Sequence, residues 1–216
     1  QYRRTLLMGG ILCGLCLFGG ESLQQFGFVH DTEVGKSGFI TALYIVFVPI
    51  ISLFLGRRGS PLLWAAVALS LVGLWFLCIP PEGFTIAAGD LFVLACAVVF
   101  SLHILVIGRY VLLVDAVELS MMQFFCGSIL AFFAMLALPA MLWAGIMSNG
   151  IAYTLQIVGQ RGMNDTTSSL ILSLESVFSV ISGWLILNEV LSMREGLGCV
   201  LMAAAVVLAQ LPGNKR

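Results

Sequence analysis

The sequence predicts an all-α, polytopic membrane helix bundle, and three observations carry that prediction. The chain of 216 residues is 60% hydrophobic and 10% charged, whereas about a quarter of the residues of a soluble domain are charged. Its apolar residues fall into eight runs of roughly 20, each long enough to cross a bilayer as a helix. Finally, one half of the pattern recurs in the other. A formal net charge of −1 leaves no basic excess to neutralise phosphates and excludes a nucleic-acid partner.

The eight expected spans are 5–28, 36–55, 61–79, 89–109, 118–138, 140–160, 167–187 and 192–211. Turn-forming and charged residues punctuate them: Asp31 to Lys36, Gly56 to Pro61, Pro80 to Gly83, Tyr110 to Asp115, Pro139, Arg161 to Asp165, and Asn188 to Ser192. Around Pro139 the apolar run from Leu119 to Val158 leaves almost no room for a connection, so a loop is expected to be missing there. When sides are alternated, Arg3, Arg4, Arg57, Arg58, Arg109, Arg161, Lys215 and Arg216 fall on one face of the membrane. Only Lys36 and Arg194 fall on the other. Cytoplasmic loops collect Lys and Arg, so both ends of this chain are expected in the cytoplasm.

The repeat appears when the chain is shifted by 131 residues. SLQQFGFVH (Ser22 to His30) then lies on YTLQIVGQR (Tyr153 to Arg161), and SGFITALYIVF (Ser37 to Phe47) lies on SSLILSLESVF (Ser168 to Phe178). With one gap, Ser60 meets Ser192. Spans one to three thus correspond to spans six to eight, an odd offset that turns the copies upside down relative to one another. The expected division is 1–88, the last three helices of a first repeat, and 89–216, a complete second repeat of five. The chain opens on QYRR without an initiator Met, and two helices are expected before residue 1. That makes two inverted five-helix repeats, ten spans when intact and eight present here.

Thr166 to Glu189, TTSSLILSLESVFSVISGWLILNE, is the most unusual stretch. It has spanning length yet carries six serines and a mid-segment glutamate. At about 100° per residue, Ser168, Glu175, Ser179 and Ser182 share one sector, while Leu170, Ile171, Leu174, Phe178, Ile181 and Leu185 lie opposite. A lipid-facing carboxylate would cost at least about 2.5 kcal/mol, so Glu175 is expected on a protein or water-filled interior.

The residues GFITALYIVFVPIISLFLGRR (Gly38 to Arg58), GDLFVLACAVVFSLHILVIGRY (Gly89 to Tyr110), IAYTLQIVGQR (Ile151 to Arg161) and LILSLESVFSVISGWLILNEVLS (Leu170 to Ser192) resemble the EamA-like transporters of the drug/metabolite transporter superfamily. The resemblance implies two inverted five-helix halves around a central cavity and movement of small metabolites by alternating access. Family members read Leu-Glu-Pro where this chain has Leu174, Glu175 and Ser176. Loss of that proline removes the usual reason to expect a kink there.

Glu175 is the first candidate for a substrate or proton contact, weighed against a structural acid hydrogen-bonded to serines or a partner helix. His103 lies beside Ser101, and an imidazole, whose unperturbed pKa is near neutrality, can relay protons or donate to a substrate carboxylate; a plain bond to a backbone carbonyl is the blander alternative. Glu21, followed by Gln24 and Gln25, either lines an outer mouth or reaches the interface. Gln123, Asn149, Tyr153 and Gln156 suit interhelical packing, with Asn149 the best exception. Tyr44 pairs with Glu175 in the repeat and is a candidate cavity aromatic. Trp64, Trp143 and Trp184 suit interface anchoring, Gly10 and Gly14 close helix approach, and Asp31, Glu33, Glu82 and Asp90 solvated loop ends.

The six cysteines lie in apolar runs, and the CxxC of Cys13 and Cys16 has no second pair or nearby His, so packing is the expected role. No cofactor and no metal site is expected, and no Walker motif appears. With only His30 and His103, and neither HExxH nor GxSxG, enzymatic chemistry has few places to reside. The expected function is secondary transport of small organic metabolites or drugs across the bacterial inner membrane, proton coupling being an option, by a monomer or homodimer surrounded by membrane lipid. A non-transporting assembly subunit is the main alternative, and an intramembrane enzyme the weaker one.

Overall fold

A computed structural model describes residues 1–56, 59–79, 87–134, 151–187 and 192–210. Ten helices and no strands occur among them. They are α1 (Tyr2–Val29), α2 (Val34–Ala42), α3 (Tyr44–Phe54), α4 (Pro61–Cys78), α5 (Asp90–Tyr110), α6 (Ala116–Ala134), α7 (Tyr153–Gln160), α8 (Asp165–Leu172), α9 (Glu175–Leu187) and α10 (Met193–Gln210). Five stretches are long and apolar enough to cross a membrane: Tyr2–Val29, Lys36–Phe54, Pro61–Cys78, Asp90–Tyr110 and Met193–Gln210. Asn149, Trp143, Glu82 and the Pro139 connection lie outside the described residues.

Side chains start several of these helices by satisfying N–H groups that the first turn leaves open. Ser60 Oγ accepts from Leu63 N–H at 3.2 Å, ahead of Pro61. Ser192 Oγ accepts from Glu195 N–H at 3.2 Å while Glu195 Oε2 accepts from Ser192 N–H at 2.8 Å, a reciprocal capping box. Asp115 Oδ1 accepts from Val117 N–H and Glu118 N–H at the start of α6. Asn164 Oδ1 accepts from Thr166 N–H at 3.0 Å at the start of α8. Between α7 and α8 the chain turns through Gly162 at φ 81°, a conformation open to glycine at little cost.

The sixth and seventh of the eight expected spans, and their partners, the first and second, share backbone detail. Leu43 N–H donates to Ile40 O, and 131 residues later Leu174 N–H donates to Ile171 O. Phe47 to Leu43 recurs as Phe178 to Leu174, Ser37 to Glu33 as Ser168 to Asn164, and His30 to Gly27 as Arg161 to Val158. Both spans are therefore interrupted at the same place, between α2 and α3 at Leu43 and between α8 and α9 at Ser173 and Leu174.

The second interruption occurs without the proline. Ser173 Oγ donates to Leu170 O at 2.7 Å, occupying the carbonyl that Leu174 N–H would take in a continuous α-helix. Leu174 N–H turns to Ile171 O instead, an i−3 bond that tightens the chain and breaks the ladder. The single helical wheel over 166–189 consequently fails. Leu170, expected opposite the polar sector, is fully buried with Ile45 and Leu74, while Phe178, Ile181 and Leu185 beyond the break are exposed as expected.

Small residues let the helices approach, as packing inside lipid requires. On α1, Gly10 and Gly14 meet Met122 and the Gln123 carbonyl of α6, and Gly20 and Gly27 meet Phe100 and Val93 of α5. Cys13 is buried in the same seam with Ile107, Leu119 and Ile157, as a packing residue. All six cysteines are free. Helices α4 and α10 form the other close pair. Ser70 Oγ donates to Met202 Sδ at 3.2 Å, Gly73 abuts Met202 and Gly198, and Leu77 abuts Gly198. The partner number falls as α4 ascends, so these two helices run antiparallel. Val48, Ile104 and Leu105 join the two clusters through α3 and α5.

Asp90 corrects the expectation of a solvated loop end. It is 7% exposed and forms an ion pair with Lys36, itself 4% exposed, at 3.0 Å. Thr32 Oγ1 and Ala87 N–H also donate to its carboxylate, at 3.1 and 2.8 Å. An acid and a base at neighbouring span ends thereby satisfy each other instead of water.

Candidate functional site

The interruptions place two side chains at the head of a new helix: Tyr44 opens α3 and Glu175 opens α9. Glu175 is exposed and Tyr44 half-buried. The carboxylate of Glu175 lies within electrostatic reach of the phenols of Tyr44 and of Tyr153, the first residue of α7. Glu21, in the last third of α1, lies within the same reach of Tyr153 and of Cys96 on α5. Five helices thus contribute Glu21, Tyr44, Cys96, Tyr153 and Glu175 to one polar group. Glu21 itself is half-buried.

Around this group the polar contacts continue. Gln24 Nε2 donates to Thr41 Oγ1 at 3.2 Å, and Thr41 lies beside Cys96. Ser176, in the position of the expected proline, lies beside Cys78 of α4. Its N–H also donates to Ser173 O at 3.3 Å, a bond that proline could not make.

His103 and Gln123 are 1% and 0% exposed. The imidazole Nε2 donates to Gln123 Oε1 at 3.1 Å, so its partner is a side-chain amide, where the blander expectation had a backbone carbonyl. Gln123 Nε2 is a buried donor without a hydrogen-bond partner. The His103 ring lies 6.1 Å from that of Tyr153 in an edge-to-face arrangement, and Tyr153 stacks similarly on Phe124 at 6.5 Å. Ser120 and Thr154 hydroxyls bond at 2.7 Å beside them. Gln156 is half-buried about one turn beyond Tyr153.

The buried amide makes His103 energetically dependent on Gln123. His103→Phe should cost about 1–3 kcal/mol because it strands the Gln123 carbonyl. Adding Gln123→Leu should recover part of that loss, a coupling readable from thermal unfolding of the two single variants and the double variant in detergent. Strict additivity would show that the bond contributes nothing.

The structure therefore brings together Glu21, Tyr44 and Glu175, and places His103 and Gln123 as a pair behind Tyr153. Tyr153, Cys96 and Thr41 were not expected in the site. Tyr153 had one available signal: it lies opposite Ser22 in the repeat, next to the position of Glu21. Among the described residues, no group of three or more His, Cys, Asp or Glu is arranged to hold a metal ion.

Comparisons with known proteins agree with this architecture. The EamA-like transporter family matches residues 87–211. An uncharacterized transporter of Archaeoglobus fulgidus is 31% identical over 219 residues, spanning 94% of this chain and 68% of that protein. A crystal structure of a protein 20% identical in sequence superposes with a TM-score of 0.76, over 95% of this chain and 84% of the other, a likeness of fold. Apolar spans, interrupted helices and matching sequence together identify the chain as a multi-pass membrane protein that belongs to the EamA-like transporter family.

Proposed function

We propose that this protein is a secondary transporter of small organic solutes in the cytoplasmic membrane, working by alternating access around the group formed by Glu21, Tyr44, Tyr153 and Glu175. The observation that carries the reading is that two carboxylates and two phenols from four helices lie within electrostatic reach through Tyr153 and Glu175, with Tyr44 and Glu175 at the interruptions of two spans. Broken helices inside a membrane leave backbone groups open where a cavity can use them. His103, Gln123, Gln156 and Asn149 complete the proposed pathway.

The inverted-repeat reading, with 1–88 and 89–216 as its two units, is supported by the recurrence of the same backbone bonds at 131 residues and by the antiparallel course of α4 and α10, whose Ser70 and Met202 are equivalent positions. The bias of Lys and Arg supports cytoplasmic ends. The described basic residues, Arg3, Arg4, Lys36, Arg109, Arg161 and Arg194, all lie within three residues of a helix end. The polar group is thus acidic and aromatic in character, which suits amine-bearing solutes: a carboxylate attracts the ammonium and a phenol ring receives it face-on.

The test is flux into proteoliposomes, with and without an imposed pH gradient, over a panel of organic amines, amino acids, neutral solutes and organic anions. The expected result is uptake of amine-bearing members, fastest with the gradient. Flux equal to that of protein-free liposomes for every member would overturn the transport reading, and uptake confined to anions would overturn the substrate class.

A further inference from the structure

We infer that the Lys36–Asp90 ion pair is a latch that holds one mouth of the transport pathway shut. The inference rests on the alternating-access reading above. Lys36 belongs to α2, the first part of an interrupted span, and Asp90 is the first residue of α5. Two rungs join these helices. The outer one is Lys36 Nζ to Asp90 Oδ2 at 3.0 Å. The inner one is the level at which Thr41 of α2 lies beside Cys96 of α5, five and six residues further along and so about 8 Å deeper. The numbering rises in the same direction on both helices. Separating α2 from α5 exposes the Thr41–Cys96 level, next to Glu21, only after the outer rung parts.

The outer rung is built to be specific. The Asp90 carboxylate also accepts from Ala87 N–H, in the turn before α5, and from Thr32 Oγ1, in the connection between α1 and α2, so it stays held when the Lys36 side chain lets go. Gly89 fixes that turn: its N–H donates to His30 O at 3.1 Å, and a methyl group on it would collide with the Gly27 carbonyl and the Thr32 hydroxyl. The ammonium on α2 is therefore the mobile half. A buried ion pair broken without replacement is costly, but one that parts as water enters is solvated on both sides. Such a pair discriminates between a shut dry mouth and an open wet one, with little population between.

Helix α5 is held at its other end as well. A side-chain carbon on Gly108 would overlap the Asp165 carboxylate, which is 6% exposed at the start of α8. The starts of α2 and α8 are equivalent in the repeat, so each interrupted span begins against one end of α5.

Cys96 is a native reporter, fully buried beneath the latch. In the full-length protein with the other cysteines replaced by alanine or serine, labelling by a membrane-impermeant methanethiosulfonate is measured in right-side-out and inside-out vesicles. Lys36→Met and Asp90→Asn should each label several-fold faster than the parent from the Lys36 face and unchanged from the opposite face. Lys36→Arg, which keeps the pair, should label like the parent. Unchanged labelling in both charge-removing variants would overturn the latch, as would an equal rise from both faces, which reports general loosening. A parent whose Cys96 labelling ignores every transported solute from either face would instead remove the alternating-access reading beneath it.

Discussion

Glu175→Gln should abolish solute accumulation driven by a pH gradient, lowering it by at least about tenfold, a loss of about 1.4 kcal/mol or more of driving stabilisation. Glutamine keeps the shape and hydrogen-bonding of the side chain and removes only its charge and its proton. Glu175 stands exposed at the first residue of α9, within electrostatic reach of the phenols of Tyr44 and Tyr153. Exposed substitutions usually leave stability within about 0.5 kcal/mol, so unfolding of the variant should match the parent. Exchange of solute without a gradient should persist if Glu175 carries the proton alone, and should fall with accumulation if it also holds the solute. The measurement is radiolabelled uptake and exchange in the same proteoliposomes. Accumulation equal to the parent's, with unchanged pH dependence, would end the proposal that this carboxylate couples transport to protons.

Gly198→Ala should destabilise the bundle by about 1–3 kcal/mol, the range for forced overpacking, whereas Gly196→Ala on the same helix should be neutral or stabilising. A methyl on Gly198 would stand 2.8 Å from Gly73 O, 3.0 Å from Leu77 N and 3.2 Å from Leu77 Cβ. Two of those neighbours are backbone atoms of α4, which cannot swing aside as a side-chain tip can. Alanine's better helix propensity contributes roughly 1 kcal/mol in the opposite direction at both sites. At Gly196 nothing lies within 4 Å of the added carbon, so only the propensity gain remains. Thermal unfolding in one detergent compares the pair directly. Equal unfolding temperatures would mean that the α4–α10 crossing is looser than the coordinates describe.

Periodic properties of the chain were the legible ones. Helix boundaries follow from apolar runs and caps, and the shift of 131 residues paired Leu43 with Leu174, positions that share individual hydrogen bonds, although the breaks at both were not expected and the missing proline argued against the second. Pairing Tyr44 with Glu175 came from that same shift. What sequence reading lost depends on adjacency between distant positions. Asp90 reads as solvated because acids at span ends usually are, and nothing local shows Lys36 beside it. One trace existed: Lys36 is on the face where basic residues are scarce, an outlier in an otherwise lopsided distribution. The wheel over 166–189 misplaced Leu170 because a helical projection carries phase across every residue, and the Ser173 back-bond resets that phase. His103 and Gln123 are on different helices, and their pairing required the glycine seam that draws α1, α5 and α6 together.

Helix α1 has 28 residues and α4 has 18, giving lengths of about 42 and 27 Å. A hydrocarbon slab of roughly 30 Å cannot match both. The long helix accommodates the difference by leaning or by projecting into the headgroups, but the short one is pinned against α10 at Gly73 and Gly198 and has no comparable freedom. Acyl-chain length therefore acts on this protein chiefly through α4: thicker lipid pulls at its ends, and the surrounding leaflet must thin to meet it.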